Sequence, residues 1–207
     1  MEMMKKNVCI LDYGSGNVGS VNNLLAFIGI ESLISNKPDD IKGSTHLILP
    51  GVGSFGSAME KMSENLPINL IEEEVIHNKK PFLGICVGMQ VLANFGFEFG
   101  QHEGLGWIDG TVDLIEVGNN PLPHIGWNNV DATRESKLMN GLNEINDFYF
   151  VNSFCFNAKN KEDILAETTY HQKFTSVIGK ENIFGVQFHP EKSQGAGQKI
   201  IKNFLEY

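Results

Sequence analysis

Residues 84–88, Gly-Ile-Cys-Val-Gly, place one thiol between two residues that lack a side chain. An apolar run precedes Cys86 and a segment with helical spacing follows it from Met89. This is the pattern of a nucleophile elbow, in which a sharp turn presents the nucleophile and larger flanking side chains would collide with neighbouring backbone. A helix amino terminus beside the sulfur would favour the thiolate. Because a lone cysteine is more often a buried apolar residue, a catalytic role also requires a base.

A candidate base follows the apolar run 183–188, in the sequence His189-Pro190-Glu191. Proline restricts the residue before it to extended backbone and ends the strand, so the His189 imidazole is expected at a strand tip. Glu191 could then orient the ring and stabilise its charged form. A His-Pro pair alone usually marks a turn, but together with Cys86 it predicts a Cys-His-Glu triad. The order nucleophile, base, acid differs from that of esterases and lipases built on this elbow.

Attack on an acyl group also requires donors for the oxyanion that forms. The segment LPGVGSFG (49–56) follows an apolar run and offers unhindered backbone amides around Val52. The amide of Val87, directly after the cysteine, would be the second donor. The same glycine-rich segment is also what a tight turn into a helix requires.

Two segments, 14–19 and 51–56, match the G-x-G-x-x-G pattern of dinucleotide-binding loops. The first lacks the acidic residue expected at the end of the next strand, where Asn36 stands, and this counts against a nicotinamide or flavin cofactor. The six histidines show no metal-ligand spacing, and neither a Walker A sequence nor HExxH is present. We therefore expect no cofactor and no metal site.

The elements that would position these residues alternate in the first half of the chain. Strand-like apolar runs are separated there by segments with helical spacing, which predicts right-handed crossovers and a largely parallel sheet. Functional sites of such sheets lie at the carboxyl ends of the strands. The strand-like runs are 8–11, 32–35, 46–49 and 81–85.

The second half contains strands joined by short polar turns, which indicates antiparallel additions to the parallel core. A closing helix is expected at about 197–205. The sequence thus predicts an α/β fold, a central mostly parallel sheet flanked by helices with antiparallel additions. The second set of strand-like runs is 111–117, 148–156, 164–169, 174–178 and 183–188.

Composition describes an ordinary globular chain of 207 residues, which we expect to form one domain, 1–207. The net charge of −9 argues against a nucleic-acid or anionic-membrane surface. Three cysteines without a CxxC pair fit a reducing compartment. No apolar run is long enough for a signal peptide or a membrane span, so a cytoplasmic location is expected.

Together the segments GICVGMQ, PGVGSFG and FHPEKS resemble the class I, or triad, glutamine amidotransferases, whose fold is flavodoxin-like. Three further segments resemble the glutaminase subunit of imidazole glycerol phosphate synthase, an enzyme of histidine biosynthesis. The resemblance extends over nearly the whole chain. The three segments are DYGSGN (12–17), PHIGWN (123–128) and YFVNSF (149–154).

The resemblance implies that Cys86 attacks the side-chain amide of L-glutamine, His189 transfers the proton and Glu191 orients His189. Ammonia then leaves, and water hydrolyses the glutamyl thioester to glutamate. Backbone amides at Val52 and Val87 would hold the oxyanion. The positions that match glutamine-binding residues of the family are Gly53, Gln90, Glu98 and Ser153.

The family also implies a partner, a (β/α)₈-barrel cyclase that forms a heterodimer with the glutaminase and uses the ammonia. Asn17, Trp127 and Lys192 match positions at that interface. Asn152 stands where the family usually has histidine, and paralogous subunits supply ammonia for amidation of surface sugars. That pathway stays open, as do a cysteine hydrolase of the same superfamily and a non-catalytic nucleotide-binding module.

Overall fold

The protein, described from a computed structural model over residues 6–142 and 144–207, contains two sheets. Within those residues the larger sheet has twelve strands and the smaller has two. The strands are β1 (Asn7–Leu11), β2 (Glu31–Ser35), β3 (His46–Gly51), β4 (Phe82–Cys86), β5 (Phe95–Gly96), β6 (His102–Glu103), β7 (Gly110–Leu114), β8 (His124–Asn129), β9 (Asp131–Ala132), β10 (Asp147–Asn152), β11 (Phe154–Ala158), β12 (Ile164–Tyr170), β13 (Gln172–Lys180) and β14 (Ile183–Val186).

Five neighbouring strands of the larger sheet run parallel, in the order β2-β1-β3-β4-β14. Every residue of β3, β4 and β14 is buried, as expected of central strands covered by helices on both faces. The sheet continues through the antiparallel strands β13, β11 and β7. The predicted α/β fold class, with a mostly parallel sheet and antiparallel additions, is confirmed.

The helices pack on the parallel half of the sheet and connect its strands. The helix expected from Met89 begins at Val87 and comprises a single turn, and the closing helix begins three residues earlier than expected. The helices are α1 (Val18–Phe27), α2 (Pro38–Gly43), α3 (Phe55–Asn65), α4 (Ile68–Glu72, continued by a π-helical turn at Glu73–His77), α5 (Val87–Gln90) and α6 (Gln194–Phe204), with 3₁₀ turns at Lys137–Met139, Lys161–Asp163 and Pro190–Lys192.

One predicted strand was wrong, because residues 148–156 form two strands that belong to different sheets. β10 pairs with β8 in the smaller sheet, whereas β11 joins the larger sheet between β7 and β13. The chain turns at Ser153, and the rings of Phe148 and Phe150 pack on Phe188. This packing holds β10 against the segment that leads to His189, whose amide donates to the carbonyl of Tyr149 at 2.9 Å.

None of the helices in the described part of the chain is long and apolar enough to cross a membrane.

Candidate active site

Cys86 is the last residue of β4 and lies at a sharp, strained turn. Its φ of 56° and ψ of −113° fall in a region that non-glycine residues rarely adopt. Such a conformation costs about 1–3 kcal/mol and persists only where the surroundings impose it. The side chain is only 4% exposed but lies on the wall of the main cleft. The sulfur is therefore held at the carboxyl edge of the sheet.

The two glycines around Cys86 are required by close backbone packing. A Cβ atom on Gly84 would lie 2.3 Å from the carbonyl oxygen of Gly88, and one on Gly88 would lie 1.9 Å from that of Leu49. In the adjacent strand β3, a Cβ on Gly51 would lie 2.4 Å from the amide nitrogen of Gly88. Only residues without side chains let the turn close onto β3 and β4.

His189 follows β14, the strand beside β4, and its ring meets both other residues of the expected triad. The backbone of His189 is extended, with φ −101° and ψ 97°. Its Nδ1 lies 2.9 Å from Oε1 of Glu191, and the two side chains are 6% and 1% exposed. The ring also makes a hydrogen bond with the side chain of Cys86. Cys86, His189 and Glu191 thus form one continuous chain of contacts.

The electrostatics of these three contacting side chains favour a charged imidazole at His189. Burial alone would lower the pKa of His189, but hydrogen bonds with Cys86 and Glu191 and their negative charges outweigh it and raise the pKa to about 10. Burial would likewise raise the pKa of Glu191, but hydrogen bonds from His189 and Asn17 and the charge of His189 hold it below its usual value. The imidazolium and the carboxylate stabilise each other in a site largely shielded from water.

Asn17, expected at a partner interface, makes a contact with Glu191 in this structure. Its side-chain Nδ2 donates to Oε1 of Glu191 at 3.0 Å. This is the same carboxylate oxygen that faces His189, so two donors converge on one acceptor. Asn17 directly precedes α1 and is half-buried, so the beginning of that helix is tied to the Glu191 carboxylate.

The two expected oxyanion donors differ in their surroundings. Val52 and Val87 both line the cleft with Cys86. Burial raises the pKa of Tyr13 to about 12, and a hydrogen bond with the backbone of Val52 opposes that rise. A hydrogen bond lowers the pKa of a phenol when it is donated to the phenol oxygen, because it stabilises the charged form. The only backbone group of Val52 that can donate is its N–H. The Val52 amide therefore faces the Tyr13 hydroxyl.

The cleft beside Cys86 has a volume of about 390 Å³, and the four expected glutamine-binding residues all line it. Glu98 is held by the amide of Phe55, which donates to its Oε2 at 3.0 Å at the start of α3. The carbonyl of Ser153 accepts a bond from the amide of Ile115 at 2.9 Å. The four residues are Gly53, Gln90, Glu98 and Ser153.

Both amide hydrogens of Gln90 are used within the protein. Its Nε2 lies 3.0 Å from the carbonyl oxygen of Phe154 and 3.0 Å from Oε1 of Gln187. A primary amide has two N–H groups, so only the carbonyl oxygen of Gln90 is left to bind a ligand. That oxygen can accept a hydrogen bond but cannot donate one.

The other two residues expected at the partner interface share one neighbour at the edge of the cleft. The Trp127 ring packs edge-to-face on Tyr149 with centroids 6.0 Å apart, and the Lys192 ammonium lies 5.5 Å from the centroid of the same ring. Trp127 remains 46% exposed, and nearby Ile125 is 59% exposed. An apolar, partly exposed surface therefore adjoins the site.

Sequence reasoning missed Gln187, which is completely buried and contacts the sulfur of Cys86. Its Nε2 lies 3.8 Å from Sγ of Cys86. Its spacing from His189 could have indicated it. Gln187 stands two residues before His189, and alternate residues of extended backbone share a face.

The remaining two thiols have no part in the site. Cys9 and Cys155 are buried, and burial raises their pKa values to about 11 and about 12, with nearby carboxylates adding to the rise. No cluster of metal-ligating side chains occurs among residues 6–142 and 144–207.

A parallel sheet with a cysteine elbow on one strand and a histidine–glutamate pair after the neighbouring strand is the arrangement that a triad-type enzyme needs for acyl transfer from amides or esters. The chain belongs to the class I glutamine amidotransferase family, whose family model matches residues 9–207. The predicted family is thereby confirmed.

Similar proteins support this assignment over nearly the full length. The chain is 44% identical to imidazole glycerol phosphate synthase subunit HisH 2 of Methanococcus maripaludis, with 96% of this chain and 98% of that protein aligned. It is 40% identical to the protein of the same name from Pseudomonas aeruginosa, again over 96% and 98%.

Among solved structures, PurLQS from Thermotoga maritima superimposes with a TM-score of 0.75 over 99% of both chains. A structure described as a glutamine amidotransferase gives 0.73 over 96% of this chain and 97% of the other. Both are 18% identical to this chain, so these two comparisons support the fold alone.

Proposed function

We propose that this chain is the glutaminase subunit of an imidazole glycerol phosphate synthase and supplies ammonia for histidine biosynthesis. Two relatives at 44% and 40% identity bear that name. The observation that carries the proposal is the strained Cys86 in contact with His189, whose other nitrogen is held by Glu191. We further propose that residues 1–207 form one domain and act in the cytoplasm, where the three free thiols stay reduced.

In the proposed reaction, the thiolate of Cys86 attacks the side-chain amide carbon of L-glutamine. His189, with Nδ1 turned to Glu191, presents Nε2 to the sulfur and gives its proton to the departing nitrogen as the C–N bond breaks. Ammonia leaves a glutamyl thioester. Water then adds to the thioester carbon as His189 accepts its proton, the C–S bond breaks, and glutamate is released.

Glu191 supports this reaction through charge and orientation. The raised pKa of His189 means that the imidazolium needed to protonate the leaving nitrogen is favoured at neutral pH. Asn17 donates to the same carboxylate oxygen that His189 contacts. The two donors on one oxygen keep the ring in the orientation that exposes Nε2 to Cys86.

We propose that the amides of Val52 and Val87 stabilise the oxyanion of the tetrahedral intermediate. Because the Val52 amide faces Tyr13, the isolated chain would offer one donor fewer than catalysis requires. Loss of one oxyanion donor typically costs about 10²–10³ in turnover. We therefore expect the isolated chain to have low activity and a partner to free the amide.

The amino-acid end of glutamine would bind between Gln90 and Glu98. The carbonyl oxygen of Gln90 and the carboxylate of Glu98 can both accept hydrogen bonds from the substrate ammonium. Glu98 is already oriented by the Phe55 amide. Gly53 and Ser153 also line the cleft and would complete the pocket.

The ammonia must remain unprotonated and must not escape into water, which a covering partner with an enclosed path achieves. We propose that a (β/α)₈-barrel cyclase covers the cleft as a heterodimer. The exposed apolar side chains of Val52, Ile125 and Trp127, with the Lys192 ammonium beside them, support this surface as the interface.

The test is glutamine hydrolysis by the complex with the barrel subunit. Cys86→Ala should abolish hydrolysis while thermal stability and co-purification with the partner are retained. Sustained turnover by this variant would show that another group is the nucleophile. Identification of a captured barrel subunit that acts on a sugar other than the imidazole precursor would overturn the histidine-pathway assignment and leave the glutaminase intact.

A further inference from the structure

We propose that Gln187 acts on the nucleophile in addition to His189 and Glu191. Its side-chain amide donates a hydrogen bond to Sγ of Cys86 and stabilises the thiolate. The proposal rests on the proposed function only in taking Cys86 as the nucleophile. Gln187 directly follows β14 and is separated from His189 by one residue, so both side chains reach the sulfur from the segment after that strand.

The geometry suits a donor to sulfur. Nε2 of Gln187 lies 3.8 Å from Sγ, a distance longer than an N–H···O bond because sulfur is larger. The Gln187 side chain is completely buried, and its backbone is held against β13 by a 2.9 Å bond from its amide to the carbonyl of Ser176. In such a setting a single N–H dipole has a larger effect on charge than it would in water.

The direction of this hydrogen bond is imposed by a backbone carbonyl. The oxygen of Phe154 can only accept, so the end of Gln90 that faces it at 3.0 Å must be the NH₂ group. The same NH₂ group faces Gln187 at 3.0 Å, so Gln187 must present its oxygen there and its own NH₂ group to the sulfur. Reversal of either amide would oppose two donors or two acceptors.

A second side-chain amide also binds the Phe154 carbonyl. Nδ2 of Asn152 donates to the same Phe154 carbonyl at 3.1 Å. The NH₂ group of Gln90 therefore donates both to the Phe154 carbonyl and to Gln187, and Gln187 in turn donates to Cys86. With its donor always aimed at Sγ, Gln187 favours the thiolate before attack and again when the thioester collapses and charge returns to sulfur.

The test is the pH dependence of Cys86 alkylation by iodoacetamide, which needs neither glutamine nor turnover. Gln187→Met keeps the length of the side chain but has no donor, and Gln187→Glu keeps an acceptor for Gln90 while placing an acid beside the sulfur. Ser176→Ala is the matched control, since Ser176 is completely buried in the adjacent strand and no contact of its side chain with the sulfur occurs in the described structure.

We expect Gln187→Met to slow alkylation at pH 7 by about tenfold and to move the half-maximal rate to higher pH, as loss of a bond to a charged group predicts. Gln187→Glu should be slower still, and Ser176→Ala should follow the wild type. A wild-type profile in both Gln187 variants, or an equal shift in Ser176→Ala, would overturn the proposal.

A measurement on the unaltered chain covers the case in which the variants do not fold. In protein labelled with ¹⁵N-glutamine, a slowly exchanging side-chain amide pair should shift with the same midpoint as the Cys86 thiolate absorbance. Protected glutamine signals that stay fixed through that titration would refute the role of Gln187. Neither result depends on glutamine hydrolysis, so failure of the proposed function would be recognised separately, by turnover in Cys86→Ala.

Discussion

Replacing Glu191 by glutamine removes one negative charge from the triad while keeping the shape of the side chain. His189 and Asn17 both contact Oε1, at 2.9 and 3.0 Å, whereas Oε2 is buried without a partner among the described residues. The variant amide can therefore keep its oxygen at the Oε1 position and its NH₂ group at the Oε2 position. The orientation of His189 should survive, and only the charge should be lost.

The size of the effect follows from the hydrogen bond that changes. A hydrogen bond to a charged group contributes about 1.5–3 kcal/mol, and about 1.4 kcal/mol corresponds to a tenfold change in rate. We therefore expect Glu191→Gln to lower kcat for glutamine hydrolysis by roughly 10- to 150-fold. Complete loss of activity, as expected for Cys86→Ala, is not predicted.

The pH profile supplies the second part of the test. Because the Glu191 charge helps to raise the pKa of His189, its removal should lower that pKa and shift the alkaline limb of kcat/KM to lower pH. In a double variant with Asn17→Ala, the amide at position 191 is free to turn its NH₂ group toward His189, and the loss should exceed the product of the single effects. Unchanged kcat and an unmoved alkaline limb in Glu191→Gln would refute this account of the triad.

Three further perturbations follow from the structure. Tyr13→Phe removes the group that faces the Val52 amide and should raise glutaminase activity of the isolated chain, by up to about 10²-fold, with no gain in the complex; equal effects in both would contradict the role of Tyr13. Gly88→Ala should unfold the chain or lower its melting temperature steeply, whereas Gly19→Ala, whose Cβ meets open space, should leave it within about 1 kcal/mol of wild type. Burial lowers the pKa of His46 from 6.5 to about 4, so the contribution of the neutral ring to the free energy of unfolding is full above pH 6.5 and declines as the pH falls toward 4, by at most about 3 kcal/mol. In urea unfolding, His46→Phe should lack this dependence of the unfolding free energy on pH. An unchanged dependence would exclude His46 as its source.

Much of the parallel core was predictable because the sequence patterns that indicate its strands and turns are local. The runs of β1 to β4 are short and apolar, and the glycines around Cys86 are explained by contacts with Gly88 and Leu49 that any such elbow must make. The strand pair β10 and β11 was not predictable from the run 148–156, since apolar residues alone do not reveal a turn at Ser153. Packing of Phe148 and Phe150 on Phe188 decides the division.

The contacts around the site were less predictable because they join distant parts of the chain. Asn17 and Glu191 are 174 positions apart, and Gln187 and Cys86 are 101 apart. Residue type and spacing predict which side chains can do chemistry. They do not predict that an amide before α1 turns toward the carboxylate, or that Tyr13 faces the Val52 amide.

The most direct test of the central claim is to quench the partner complex with acid during turnover of L-glutamine and to analyse its peptides by mass spectrometry. A glutamyl group should appear on the peptide that contains Cys86 and should be absent from Cys86→Ala. Steady turnover with no acyl group on that peptide, or with one on another residue, would contradict the proposal that this sulfur forms the covalent intermediate.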